Sequence, residues 1–385
     1  MTRYPFLVSN PVPLSTRVEK LREIEASQRF TNFGPVNDRL QQRVVDELFD
    51  GRGGCIAVAN ATLGLMIAIR DGTMRFEREP RRRLAIVPSF TFAATAHAAM
   101  WCNYQPLFCD VDPDTWLPDE LHIEALLKQY GERVAVLLPY ATFGNSLDLG
   151  RYDALAAKWD VPVVVDAAAS LGSKDAEGRQ FGSGSKHPVV YSMHATKSFA
   201  AHEGGIVYSE DLELLGRLRQ MSNFGFDANR IVTLPGMNAK LSEVAALSAA
   251  EKLSEFGNVV EHRRELVETY HRNLPMLQWQ RPAGTALAYQ FCPARVNGPG
   301  RNDLVDAMAA RGVELRAYFD PPLHRQEFFA DRSIVPDLPV TNALSRNVIS
   351  LPVHDLMSVE DAKAIARELR DVVATLNIDP AGAAD

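Results

Sequence analysis

Tyr191-Ser192-Met193-His194-Ala195-Thr196-Lys197-Ser198-Phe199, continued by Glu203-Gly204-Gly205-Ile206-Val207, is the stretch on which the fold turns. It sets one lysine just after an apolar run, Pro188-Val189-Val190-Tyr191, and just before a Gly-Gly turn into another. Such β-branched runs bounded by turn residues read as strands. A lysine held between two strands is partly withdrawn from water. That disfavours its charged form, and the neutral amine can condense with an aldehyde. Ser192, five residues upstream, can offer a hydroxyl to a phosphate beside that aldehyde. An aldehyde joined to a phosphate describes pyridoxal 5′-phosphate (PLP). A lone lysine is ordinarily a solvated surface residue, so the reading depends on the rest of such a site.

Val161-Pro162-Val163-Val164-Val165 reads as a buried parallel strand, and it ends at Asp166. In open α/β sheets functional side chains gather at the carboxyl ends of strands. A carboxylate there can keep a pyridine nitrogen protonated, which makes the ring an electron sink. The competing reading is an aspartate that caps the next segment. Its place 31 residues before Lys197, with strand-like sequence between, favours the functional one.

Two further segments run from strand into helix. Cys55-Ile56-Ala57-Val58-Ala59-Asn60-Ala61-Thr62 leaves the N–H groups of Ala61 and Thr62 at a helix start, a ready anion site. A plain N-cap by Asn60 or Thr62 is compatible with that role. Leu84-Ala85-Ile86-Val87-Pro88-Ser89-Phe90-Thr91-Phe92 carries two aromatics into the next helix start. One of them can lie flat on a pyridine ring; for Phe90 a place in the core is the better reading.

Together these segments resemble the DegT-type nucleotide-sugar aminotransferases of the aspartate-aminotransferase superfamily, and the resemblance runs nearly end to end. Thr31-Asn32-Phe33-Gly34-Pro35, Asp110-Val111-Asp112-Pro113, Asp166-Ala167-Ala168, His194-Ala195-Thr196-Lys197 and Gly236-Met237-Asn238 all look like family motifs, in order. So do Arg316-Ala317-Tyr318-Phe319-Asp320-Pro321-Pro322-Leu323-His324 and Ile349-Ser350-Leu351-Pro352-Val353-His354. The resemblance implies PLP-dependent transferase fold type I: a large domain with a mostly parallel seven-stranded sheet, and a smaller α+β C-terminal domain. It implies that Lys197 binds the cofactor covalently and shuttles the proton, and that Asp166 pairs with the pyridine nitrogen. Ser192 with Ala61 and Thr62 would hold the phosphate, and Phe92 would stack on the ring. Asn238 would reach the phosphate in the neighbouring subunit of a homodimer with shared active sites. Tyr318, His324 and Lys240 would face the substrate. The implied reaction is transfer of an amino group from L-glutamate to a nucleotide-linked ketosugar. Asn223-Phe224-Gly225-Phe226 ahead of Gly236-Met237-Asn238 suggests a dTDP-4-keto-6-deoxyhexose. Alternatives on the same fold are a PLP-dependent sugar dehydratase, in which the lysine is replaced, and a non-catalytic PLP-binding regulator.

Three positions depart from the family pattern. Ala61 stands where glycine is usual, which is compatible only with a negative φ. Ala169 follows Asp-Ala-Ala in place of Gln or His. Lys240 replaces an arginine and with it a planar, bidentate fork.

The 41 Lys and Arg against 48 Asp and Glu give a net charge of −7, which argues against a nucleic-acid partner. Arg75, Arg78, Arg81, Arg82 and Arg83 are the local exception, read as an exposed loop interleaved with Glu77 and Glu79; a pyrophosphate contact is the alternative. Cys55, Cys102, Cys109 and Cys292 have no metal-ligand spacing and read as buried reduced thiols. His97, His187, His202, His324 and His354 are too scattered for a metal site. No run reaches the ~18 apolar residues of a membrane span, and Met1-Thr2-Arg3-Tyr4-Pro5 lacks a signal-peptide pattern. A cytoplasmic enzyme without a membrane partner is the expectation.

At 385 residues two domains are expected, divided as 1–245 (PLP-binding, with the N-terminal segment) and 246–385. Clear strand candidates are Val134–Tyr140, Val161–Asp166, Val189–Met193 and Gly205–Ser209. The link Ser198–Glu203 is too short for a crossover helix, so the strands flanking it should be antiparallel or lie in different positions. A helix is expected from Leu241 to Leu253, continuing through His271. Beyond it, Ala286–Cys292 is strand-like, 301–311 and 359–376 are helix-like, and the tail 378–385 reads as frayed.

Overall fold

Seven short apolar runs form strands in the computed structural model, which describes residues 2–296 and 300–376. They are β1 (Gly54–Val58), β2 (Leu84–Pro88), β3 (Gln105–Cys109), β4 (Val134–Leu137), β5 (Val165–Asp166), β6 (Val189–Ser192) and β7 (Gly205–Ser209). Regular ladders give two groups, β1-β7-β6-β5 and β3-β2-β4. Parallel bridges Leu137–Val163 and Tyr140–Asp166 stitch β4 to β5, so the spatial order is β1-β7-β6-β5-β4-β2-β3. The expected strand Val161–Asp166 is thus in place, but its regular ladder starts only at Val165.

All neighbours from β6 to β3 are parallel, whereas β7 is antiparallel to both β1 and β6. The turn through Ser198–Glu203 imposes that reversal, because a parallel return needs a dozen or more residues. Alternate residues of the strands enter different cores, except in β4, where Ala135 and Val136 share one. Cys55 and Ala57 belong to one, Ile56 and Val58 to the other. Burial on both faces explains why the strands read as continuous apolar runs.

Helices Ala61–Thr73 and Ala93–Trp101 cover one face, Glu120–Tyr130 and Leu149–Trp159 the other. A third core gathers the end of helix Phe256–Asn273, helices Arg301–Ala310 and Val359–Thr375, and a small antiparallel sheet. That sheet consists of β8 (Gln278–Trp279), β9 (Cys292–Arg295) and β10 (Val348–Leu351) in the order β10-β9-β8.

Two expectations for this second half need correction. Helix 241–271 is broken at Ser254–Glu255 into Glu243–Leu253, capped by Ser242, and Phe256–Asn273. Ala286–Cys292 is not a strand. Ala286 bridges Lys174, but Tyr289 takes a left-handed φ of 42° and gives its carbonyl to Arg263, so no ladder forms before Cys292. The helices near 301–311 and 359–376 are present as read. The tail 378–385 lies outside the described residues.

Several family-like motifs prove to be structural. The Glu243 carboxylate accepts from Val36 N (2.8 Å) and Asn37 N (2.9 Å), capping helix Pro35–Leu48, so Thr31–Pro35 and Leu241–Glu243 meet in space. Asp110 does the same for helix Pro339–Asn347, accepting from Val340 N (2.9 Å) and Thr341 N (2.7 Å). Carboxylates at helix N-termini satisfy orphan N–H groups and oppose the helix dipole.

Candidate active site

The antiparallel strand β7 organises the site. Its first residue, Gly205, pairs with Val58 at the end of β1 and with Ser192 at the end of β6. A Cβ built on Gly205 would lie 2.7 Å from Ala61 N, so only glycine lets the turn after β1 settle this close. Ala61 then opens the helix with an ordinary negative φ, which removes the objection to alanine there. Asn60 caps the helix by accepting from Leu63 N at 2.9 Å, and the first-turn amides of Ala61 and Thr62 have no partner four residues earlier in the helix. Ser192, at the end of the neighbouring strand, is 8% exposed and its Oγ accepts from His194 N at 3.2 Å. The result is a small anion cradle of two backbone amides and a hydroxyl.

Lys197 and Asp166 follow from adjacent strand ends, β6 and β5. The Lys197 side chain is half-buried in the cavity wall and its amine donates to Gln290 Oε1 at 2.9 Å. Burial lowers its pKa to about 8, with the Asp166 carboxylate pulling the other way. Asp166 is 3% exposed; its Oδ2 accepts from Thr95 Oγ1 (2.6 Å) and its Oδ1 from Ala168 N (3.0 Å). Burial raises its pKa, against the opposing effects of those two hydrogen bonds and of Lys197. A buried cation at this carboxylate would favour the ionised form.

Ala61, Thr62, Phe92, Ser192, Lys197 and Tyr318 all line one cavity of about 370 Å³, together with Tyr140, His194 and Gln290. Phe92 is 65% exposed although apolar, whereas Phe90 is fully buried against Phe143 and Phe319. An exposed ring at a cavity wall is a surface for a flat ligand. Tyr318 packs on Phe6 and Phe291 behind it.

Four sequence candidates do not line this cavity: Asp166, which is bonded to the lining residue Ala168, and three that lie elsewhere. His324 is turned into the protein: its Nδ1 pairs with Ser89 Oγ (2.7 Å) and its Nε2 with Asn342 Oδ1 (3.1 Å), leaving no ring nitrogen for a substrate. Lys240 pairs through its backbone with Val58 and sets its amine over the Phe224 ring at 4.6 Å. Asn238 is exposed, in a backbone bridge with Asn223. The arginine cluster precedes β2 and so lies at the amino ends of the strands. Arg82 is buried over Phe76 and donates to the Val134 carbonyl, and the other four are exposed. Gln290 and the Thr95 hydroxyl were missed as site residues. Thr95 had a signal in its position one helical turn after Phe92; Gln290 had none.

This chain belongs to the DegT/DnrJ/EryC1/StrS aminotransferase family, whose model matches residues 14–370. It is accordingly an aminotransferase of fold type I. A Bacillus cereus ATCC 10987 structure assigned to the PLP-dependent aminotransferases is 35% identical, with a TM-score of 0.88 over 95% of this chain and 99% of that one. DesI, solved in the presence of its TDP-sugar product, is 30% identical with a TM-score of 0.85, over 98% and 95% of the two chains. The dTDP-4-amino-4,6-dideoxy-D-glucose transaminase of Shigella dysenteriae is 25% identical, covering 96% of this chain and 99% of its own. No helix among the described residues is long and apolar enough to cross a membrane.

Proposed function

We propose that this chain moves an amino group from L-glutamate to the keto carbon of a nucleotide-linked sugar, using PLP. The carrying observation is the Lys197 amine, with its pKa lowered to about 8, at the strand end next to the hydrogen-bonded Asp166 carboxylate. The cavity fits the cofactor. The cradle kept open by Gly205 suits a phosphate, the exposed Phe92 suits a ring face, and Asp166 suits a protonated ring nitrogen. When bound, PLP supplies an aldehyde and an electron-withdrawing ring.

The chain's own groups do the rest. Lys197, whose amine loses its charge as pH rises through about 8, in its neutral form takes a proton from the amino-bearing carbon of the donor and returns one to the acceptor carbon; a base with such a pKa is near its most effective. Asp166, held by Thr95 and Ala168, keeps its charge aimed at one point. Ala61 N–H, Thr62 N–H and Ser192 hold the phosphate, and Tyr318 borders the substrate side.

A dTDP-4-keto-6-deoxyhexose is the narrower reading of the acceptor. The Shigella transaminase and the DesI product support it. Turnover of a panel of dTDP-, UDP- and GDP-linked ketosugars with glutamate tests it. We expect 2-oxoglutarate release with the dTDP-4-keto sugar above the others. Release with none of the panel would overturn the proposal.

The active enzyme is a homodimer in which Asn238 serves the neighbour's phosphate. Its own cavity does not include it, and Phe224, Ile231 and Val232 nearby are exposed apolar residues of the kind interfaces cover. Asn238→Ala should weaken cofactor retention by ~1.5–3 kcal/mol, as for a bond to a charged group. Mixing these subunits with Lys197→Ala subunits should restore activity at limiting PLP, because one site of each mixed dimer is then intact. No gain over either parent would place Asn238 in its own site.

A further inference from the structure

Lys197 is held by a residue that comes from a different part of the chain. Gln290, 3% exposed, accepts from the Lys197 amine at 2.9 Å, and its Nε2 donates to the Thr196 carbonyl at 3.5 Å. It thus grips both the lysine side chain and the backbone beside it. Its own position is fixed on either side. The Tyr289 carbonyl accepts from the buried Arg263 at 3.2 Å, and the Phe291 ring stacks on Phe6 with centroids 5.6 Å apart.

We propose that Gln290 is a positioning residue for Lys197: it takes one N–H of the amine whenever the amine is not bonded to the cofactor, and keeps the nitrogen in the cavity as a free base. The proposal rests on the reading of Lys197 as the cofactor lysine. An amide suits the task for a chemical reason. It neither gains nor loses a proton at working pH, so it orients the amine without competing for the proton that Lys197 must carry. A carboxylate in its place would pair with the ammonium and retain that proton. A leucine would leave the amine with no acceptor and nothing to hold it.

The two replacements therefore move the lysine in opposite directions, which a packing role would not do. The test is the pH dependence of Lys197 acetylation by acetic anhydride in the full-length chain stripped of cofactor, read by peptide mass spectrometry. The unaltered chain should show a midpoint at about 8. Gln290→Glu should raise it by ~1 unit or more, and Gln290→Leu should lower it. Midpoints that stay put, or shift the same way in both variants, would overturn the proposal. Should one variant fail to fold, the direction of the other decides. Borohydride reduction of the unaltered chain with PLP separates the two layers. A pyridoxyl label absent from Lys197 defeats the reading of the lysine, whereas a label present with unmoved midpoints defeats only the role of Gln290.

Discussion

Lys197→Ala should abolish transamination, with a loss in kcat of at least ~10⁴-fold, because it removes the proton shuttle together with the covalent anchor. The folded state should survive, since the substitution deletes an amine that makes a single hydrogen bond to Gln290. PLP should still bind, held by the anion cradle and by Phe92, but without the covalent link. In the unaltered chain the capture of an aldehyde should rise with pH through about 8, where the amine loses its proton. Borohydride reduction and peptide mapping check the assignment. A pyridoxyl label on Lys174, Lys186 or Lys240 in place of Lys197 would sink it.

Asp166→Asn is the second large effect. The amide keeps the shape and can still pair with the Thr95 hydroxyl, but it loses the charge that holds a proton on the ring nitrogen. A fall in kcat of ~10²-fold or more is expected, each factor of ten corresponding to about 1.4 kcal/mol. Cofactor content must be measured alongside, so that weak binding is not mistaken for slow chemistry. Turnover close to that of the unaltered chain would leave Asp166 as a carboxylate that only caps Ala168.

The candidate site residues that the structure brings close together share one trait. Asp166, Ser192, Lys197, Ala61 and Thr62 each follow a β-branched or apolar run and so sit at strand ends, where pattern and position coincide. Phe92 was legible for the same reason, at a strand-to-helix step. Gln290 was not, because its segment has no periodicity and its place is set by long-range contacts to Lys174, Arg263 and Phe6. His324 illustrates the opposite failure: the surrounding motif was recognised, yet Ser89 and Asn342 claim both ring nitrogens. The seven-stranded sheet came only from the family resemblance, and the short link left two arrangements of its flanking strands open, of which the antiparallel one holds. The interruption of helix 241–271 was not legible, since charged helical sequence continues on both sides of Ser254–Glu255.

The placement of β7 bears on how the molecule assembles. The lysine hairpin of β6 and β7 closes locally, but the phosphate turn joins it only after β1 has found β7, with every strand from β2 to β6 lying between them in the chain. Closing so long a loop is entropically unfavourable until the flanking contacts form, which makes such pairings slow. The site is therefore among the last features of the sheet to exist. On the proposed function, a cofactor held between these strand ends would be captured only after β1 has docked on β7, so that holo-enzyme formation would report completion of the sheet.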